Sequence, residues 1–177
     1  LKKKFKSIIT IIAPRHIDRV ASIERLCDKR KLNCQILDDN HKISPDKEII
    51  IINSFGVLNK FFKYAKSVFV GKSLLNKFKN SGGQNPIEAA ALGCKIYHGP
   101  YVYNFQEIYN LFEENRISKQ VNTKEELVKN LIHDLDGIEK SNQANNVFLN
   151  SLSQQILEKT MTKINNFILN NNENTQT

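Results

Sequence analysis

The sequence predicts an α/β domain: a parallel sheet with helices packed on it. Short apolar runs of strand length alternate with helical segments six times along the chain. These runs are continuous rather than alternating, which is how strands buried on both faces read. No internal repeat or linker divides the 177 residues, a length of about one domain by the usual ~100–200 residues.

Each element follows from its local pattern. Ser7–Ala13 is β-branched and apolar and stops at Pro14, so it reads as a buried strand. Ile17, Val20, Ile23 and Cys27 recur at near-helical spacing with charges between them, an amphipathic helix. Cys34–Leu37 is a short strand, followed by the polar turn Asp38–Asp46, and Glu48–Ile52 is a central strand. Leu58–Ala65 reads as helix and Ser67–Gly71 as strand. Asn85–Leu92 is alanine-rich helix, with Pro86 at the first helical position, where its missing N–H costs nothing, and Gly93 as C-terminal cap. Lys95–His98 is a strand, Asn104–Glu114 a helix and Ile117–Val121 a strand. Thr123–Leu135 is a helix capped by Thr123, with Glu126 three residues on. Helical stretches are expected over Ile138–Leu149 and Ser151–Leu169, within a domain of residues 1–169, and residues 170–177 form a polar, disordered tail.

Lys and Arg number 26 against 18 Asp and Glu, a net charge of +8 that favours anionic partners. Lys2, Lys3, Lys4 and Lys6 read as a soluble lead-in to the first strand. Cys27, Cys34 and Cys94 show no CxxC spacing and read as reduced thiols. His16, His41, His98 and His133 are too widely spaced to suggest a zinc site. The longest apolar runs fall far short of the ~18 residues of a membrane-spanning helix. No signal peptide is visible, and the start at Leu1 reads as a fragment of a longer protein.

Open parallel sheets bind ligands beyond the carboxyl ends of their strands. Four loops therefore matter, those after Ala13, Ile52, Gly71 and His98. Arg15 follows the first strand, where its planar fork suits a phosphate. His16 beside it is a ligand donor or an exposed helix-start residue. Asn53-Ser54-Phe55-Gly56 offers close backbone approach or simply a tight turn. Gly82-Gly83-Gln84-Asn85-Pro86-Ile87-Glu88 is the most informative stretch. Its glycines let backbone approach a ligand, and the helix start behind them directs free N–H groups there. Asn85 and Glu88 share one face of the first turn, and Glu88 suits ribose hydroxyls. The competing account is helix capping by Asn85 and Glu88 alone, and the same spacing at Asn104 and Glu107 reads as capping too. Neither GxGxxG after the first strand nor GxxxxGK[ST] occurs; Gly71-Lys72-Ser73 lacks the upstream glycine, which disfavours dinucleotide dehydrogenases and P-loop NTPases.

In order and together, these loops resemble the C-terminal half of the bacterial lipid A Kdo (3-deoxy-D-manno-octulosonic acid) transferases. The matching blocks are Ala13-Pro14-Arg15-His16-Ile17-Asp18-Arg19, Gly56-Val57-Leu58 with Tyr64-Ala65, and Val68 to Leu74. Gly82 to Ala91, then Gly99-Pro100 and Asn104-Phe105, complete the set. The match covers about residues 8 to 114. The resemblance implies a two-domain B-type glycosyltransferase fold whose C-terminal, Rossmann-like domain binds the donor CMP-Kdo. That domain is then incomplete at its N-terminus here. The resemblance also implies transfer of Kdo to a lipid A precursor in lipopolysaccharide biosynthesis, with release of CMP and no cofactor or metal. The catalytic base, acceptor site and membrane-association surface belong to the other half, so this segment is expected to be soluble and inactive alone. The whole protein is expected at the cytoplasmic side of the inner membrane. Carried over by position, Arg15, His16, Ser54, Gly56, Ser73, Gly82, Gly83, Asn85 and Glu88 become nucleotide contacts. Three positions depart from the family pattern: Val57 replaces an acid, Lys72 a glycine and Gln84 a histidine. The rival readings are a UDP-sugar-dependent enzyme of the same fold and a basic nucleic-acid-binding module, with Tyr97, Tyr101 and Tyr103 as stacking residues.

Overall fold

The computed structural model describes residues 1, 4–39, 41–80, 82–137, 147–152, 154, 157, 158 and 160–165. The elements run β1 (Thr10–Ile12), α1 (Val20–Lys29), β2 (Cys34–Leu37), β3 (Ile49–Ile52), α2 (Leu58–Phe62) and β4 (Ser67–Phe69). They continue with α3 (Ile87–Ala91), β5 (Lys95–His98), α4 (Gln106–Glu114), β6 (Ser118–Gln120) and α5 (Lys124–Asp136). Short 3-10 turns at Ile17–Arg19, Asn76–Phe78 and Tyr103–Phe105 precede helices or punctuate loops. The helical stretches expected beyond residue 137 lie partly outside the described residues, and the tail 170–177 wholly so; residues 147–152 and 160–165 are helical. No helix among the described residues is long and apolar enough to cross a membrane.

Every strand pairing among the described residues is parallel, as the continuous apolar runs predict. The expected layer is divided, however, into two three-stranded sheets of order β1-β3-β2 and β4-β5-β6. The middle strands carry the burial: Ile50, Ile51 and Ile96 are wholly inaccessible. The first sheet packs on α1 through Val20, Cys27 and Ile51. The second holds the larger core, in which Ala89 and Ala90 of α3, Ile96 of β5, and Tyr109 and Phe112 of α4 meet Leu149. Full burial of each large apolar side chain there contributes roughly 1.5–3 kcal/mol.

The predicted strands Cys34–Leu37 and Lys95–His98 match in full, other predicted elements are trimmed at one or both ends, and α5 runs one residue past its expected end, to Asp136. Thr123 caps α5 as its spacing predicts, accepting the Glu126 N–H at 3.1 Å, while the Glu126 carboxylate accepts the Asn122 N–H at 2.9 Å. The expected capping at Asn104 does not form in that way: α4 starts at Gln106, and Asn104 lies in the preceding 3-10 turn.

Three helices end in the same doubly bonded left-handed turn. After α3, Gly93 (φ +80°) donates to Ala90 O, and Cys94 donates to Ala89 O. After α1 and α4 the left-handed positions fall to Lys31 (φ 54°) and Arg116 (φ 58°), with the equivalent bonds to Asp28 and Cys27, and to Glu113 and Phe112. A left-handed L-residue costs roughly 1–2 kcal/mol, and glycine adds an entropy cost of roughly 0.5–1 kcal/mol. Arg116→Gly is therefore expected to raise stability modestly, by at most about 1 kcal/mol, read as a higher urea midpoint at unchanged slope.

Candidate functional site

The carboxyl ends of β1, β3, β4 and β5 carry the loops singled out in the sequence. Arg15, exposed just past β1, donates from its guanidinium to the Gln84 side-chain oxygen at 3.3 Å. This bond joins the loop of the first sheet to the glycine loop of the second. Gln84 is itself held from two sides: its side-chain nitrogen donates to Gly83 O at 3.0 Å, and its carbonyl accepts the Tyr109 hydroxyl at 2.8 Å.

The two glycines of that loop are both buried and left-handed, with φ of +65° at Gly82 and +74° at Gly83. A Cβ on Gly82 would come within 2.6 Å of the Asn104 side chain, and one on Gly83 within 3.1 Å of Val102 Cγ1. Their missing side chains thus let the loop lie directly on the 101–104 segment. Here close approach to the protein's own chain, as well as backbone conformation, requires glycine.

The helix behind the loop is shorter than predicted. α3 spans Ile87–Ala91 only, with Pro86 as its cap residue rather than its first position. Asn85 is exposed, and its side-chain oxygen accepts the Ile87 N–H at 2.9 Å. Glu88 is exposed in the first turn, and its carboxylate makes no hydrogen bond or ion pair among the described residues. It does not reach back to close a capping box, so the capping account covers Asn85 and leaves Glu88 available. A five-residue helix has little macrodipole, so the positive charge beside this loop is that of the Arg15 guanidinium.

The remaining sequence-derived residues divide into two groups. His16 is exposed at the start of the 3-10 turn after β1 and makes no side-chain cap. Ser54 is half-buried in the loop after β3, which is tied to the loop after β2 by Asn53 donating to the Asp38 carboxylate at 2.7 Å. Gly56 has φ +75° and open space where a Cβ would stand, so it serves the turn's conformation. Ser73 stands apart: it is wholly buried, donates to Val70 O at 2.6 Å and accepts the Gly99 N–H at 2.9 Å. Its hydroxyl clasps the ends of β4 and β5 together. Lys72, half-buried before it, holds φ +58°, the left-handed form suited to the glycine it replaces in the family pattern.

Two residues that the sequence reading passed over support the loop from behind. Tyr109 is 1% exposed, and burial raises its phenol above the ordinary range, so it remains a donor to Gln84 O. His98, at the end of β5, lies 4.2 Å from the Tyr109 ring, centroid to centroid. The Gly99 carbonyl, 2.9 Å from His98 Nδ1, can only accept, which places the proton on Nδ1. Nε2 is then bare, 3.3 Å from Glu113 Oε1 and without hydrogen-bond geometry. In sequence, Tyr109 reads only as part of a helix's apolar face, so nothing local marked it.

Burial lowers the His98 pKa below 6.5, outweighing the opposing pull of the Gly99 carbonyl and Glu113. The unfolded chain thus takes up this proton first. The contribution of His98 to stability is full above about pH 6.5 and declines as pH falls below it, by about 1.4 kcal/mol per unit down to the folded value. Melting temperature is expected to drop more steeply below pH 6.5 in the wild type than in His98→Gln, measured by thermal denaturation from pH 8 to 5.

Tyr97 cannot act as a stacking residue: it is 2% exposed, and its hydroxyl donates to the Asp134 carboxylate at 2.8 Å. The Tyr101 hydroxyl donates to the Asn76 side chain at 3.4 Å and that of Tyr103 to Asn80 O, so both brace the 76–80 turn. Hollows of about 290 and 210 Å³ lie elsewhere, one against the end of α5 and one at the amino ends of β1 and β3. Among the described residues no three His, Cys, Asp or Glu side chains gather as a metal site.

A parallel α/β fold with an arginine and a glycine loop joined at the carboxyl edge of its strands defines a Rossmann-like domain. The fold is that of the C-terminal CMP-Kdo binding domain of WaaA from Acinetobacter baumannii, with a TM-score of 0.74 at 22% identity over 84% of this chain and 76% of that one. The chain is homologous to the 3-deoxy-D-manno-octulosonic acid transferases. It is 30% identical to that of Rickettsia bellii over 172 residues, 94% of this chain and 40% of the relative. It is 29% identical over 171 residues, 96% of the chain, to a bifunctional glycosyltransferase/methyltransferase of Fusobacterium nucleatum, of which it covers 26%. The chain thus spans between about a quarter and two-fifths of these relatives. No family model matches it.

Proposed function

We propose that this chain is the donor-binding part of a glycosyltransferase that moves Kdo from CMP-Kdo to a lipid A precursor and releases CMP. The observation that carries the proposal is the Arg15–Gln84 bond, which sets a cation against the glycine loop at the ligand edge of the fold. A departing CMP phosphate gains negative charge in the transition state, and a fixed cation with oriented N–H groups stabilises it. Lys72, beyond β4, adds a second cation on the same edge. Glu88, with its carboxylate free, is the group for the ribose hydroxyls. His16, Ser54, Gly56 and Asn85 line the surrounding loops, and Ser73 contributes by holding the β4 and β5 ends in place.

The acceptor site, the catalytic base and the attachment to the cytoplasmic membrane face belong to the rest of the protein in this reading. The 177 residues then bind nucleotide without transferring sugar. Calorimetric titration with CMP and UDP tests the donor. CMP is expected to bind the tighter of the two, and equal affinities would favour the UDP-sugar alternative. Glu88→Ala is expected to weaken CMP binding by roughly tenfold, the loss of about 1.4 kcal/mol, with little change in melting temperature. A lowered melting temperature with unchanged CMP affinity would instead make Glu88 a structural residue.

A further inference from the structure

We propose that Tyr109 is a positioning residue for the ligand edge: from within the core its hydroxyl fixes Gln84, and Gln84 in turn fixes Arg15. Three elements far apart in the chain meet in this relay. The Tyr109 hydroxyl of α4 donates to Gln84 O at 2.8 Å, and the Gln84 side-chain oxygen accepts from the Arg15 guanidinium at 3.3 Å. Packing alone does not call for a phenol here. Tyr109 lies in an apolar cluster with Val102, Phe112 and Ile117, where a phenylalanine ring would fill the same space. The hydroxyl is the one group that differs, and it is bonded to the residue that holds the arginine.

The geometry carries order outward step by step. A side chain's direction is set by the two rigid peptide planes that flank its Cα. The plane before Gln84 is held by the seat of Gly83, where a Cβ would stand 3.1 Å from Val102 Cγ1 and 3.3 Å from Tyr101 O. The plane after it is held because its carbonyl accepts the Tyr109 hydroxyl. With both planes fixed, so is the Cα–Cβ bond of Gln84. The amide at the far end stands only one way round. Its nitrogen donates to Gly83 O at 3.0 Å, which leaves its oxygen for the guanidinium, a group with donors alone. Arg15 uses one N–H in this bond and keeps its others for an anion.

Tyr109 serves as the anchor because it is itself fixed. It is buried on α4 with Phe112, and its ring lies 4.2 Å from that of His98, whose Nδ1 is tied to the Gly99 carbonyl at 2.9 Å. An exposed arginine otherwise samples many rotamers, and ordering such a side chain when a ligand arrives lowers affinity. Holding Arg15 beforehand removes part of that loss. The effect on nucleotide affinity rests on the donor-binding reading proposed above, whereas the order of Arg15 in the free chain needs no ligand.

Two measurements test the relay. The first, without nucleotide, reads the heteronuclear NOE at the Arg15 Nε–H by NMR. Arg15 is expected to be ordered in the wild type and more mobile in Tyr109→Phe and in Gln84→Leu. It should stay ordered in Ile117→Val, which removes a methylene from the same core but no side-chain hydrogen bond. The second is a double-mutant cycle read by calorimetric titration with CMP. Tyr109→Phe is expected to weaken CMP binding by roughly three- to tenfold, the scale of ordering one long side chain, and to have no effect in an Arg15→Ala background. Equal mobility of Arg15 in the wild type and Tyr109→Phe would overturn the proposal. So would the same loss of CMP affinity with and without Arg15, which would make the hydroxyl a support of the loop alone. Arg15 order that follows Tyr109 in a chain that fails to bind CMP would uphold the relay while sinking the donor reading.

Discussion

Gly99→Ala is expected to destabilise the second sheet strongly, costing about 3 kcal/mol or more, at or beyond the upper end for overpacking. A Cβ at this position would stand 2.2 Å from Ser73 O and 2.3 Å from Leu74 Cα. Those are backbone atoms, so no rotamer change relieves the overlap. The contact is close because Gly99 N–H donates to Ser73 Oγ at 2.9 Å and Tyr101 N–H to Ser73 O at 2.9 Å, drawing the ends of β4 and β5 together. Pushing them apart breaks both bonds and exposes the buried Ser73 hydroxyl. For a chain of this size about 2–4 °C of melting temperature is lost per kcal/mol, so a fall of about 10 °C is expected in a thermal melt. Ser73→Ala provides the comparison: it removes one hydroxyl without adding volume, and its loss should be smaller.

Arg15→Ala is expected to leave melting unchanged and lower CMP affinity by about ten- to a hundredfold, the equivalent of about 1.4–2.8 kcal/mol. The side chain is exposed and its bond to Gln84 is long at 3.3 Å, so its loss from the free protein costs little stability. With nucleotide bound, the guanidinium meets a phosphate, where a charge-assisted, bidentate contact is stronger. Arg15→Lys should recover only part of the affinity, because an ammonium lacks the fork. Unchanged CMP affinity in Arg15→Ala would remove the observation on which the proposed function rests.

The candidate site was partly legible. Arg15 and the Gly82-Gly83 loop were marked by their positions after apolar runs, and the structure brings them together. Ser73 was read with the same loops, but its burial commits the hydroxyl to Val70 and Gly99. Exposure is a property of packing that a local motif does not carry. Tyr109 and His98 escaped notice for the opposite reason: as helix-face and strand residues they read as core, and only the fold sets them behind Gln84. The shortness of α3 was not legible: the pattern runs from Asn85 to Leu92, but Asn85 and Pro86 stay outside the helix, Pro86 as its cap residue, and the last helical residue is Ala91, ahead of the left-handed Gly93 that the sequence marks as cap.

By itself, the sequence determined that this is a parallel α/β domain, where most strands and helices fall, and which loops follow the carboxyl ends of the strands. These follow from local apolar runs, helical spacing and turn residues, and each is settled within a few neighbours. The tertiary structure alone decided that the strands divide into two three-stranded sheets, that Arg15 reaches Gln84 and that Ser73 is a clasp. Those outcomes depend on contacts between residues far apart in the chain, and hydrogen-bond partners and burial at that range are chosen by how the layers pack.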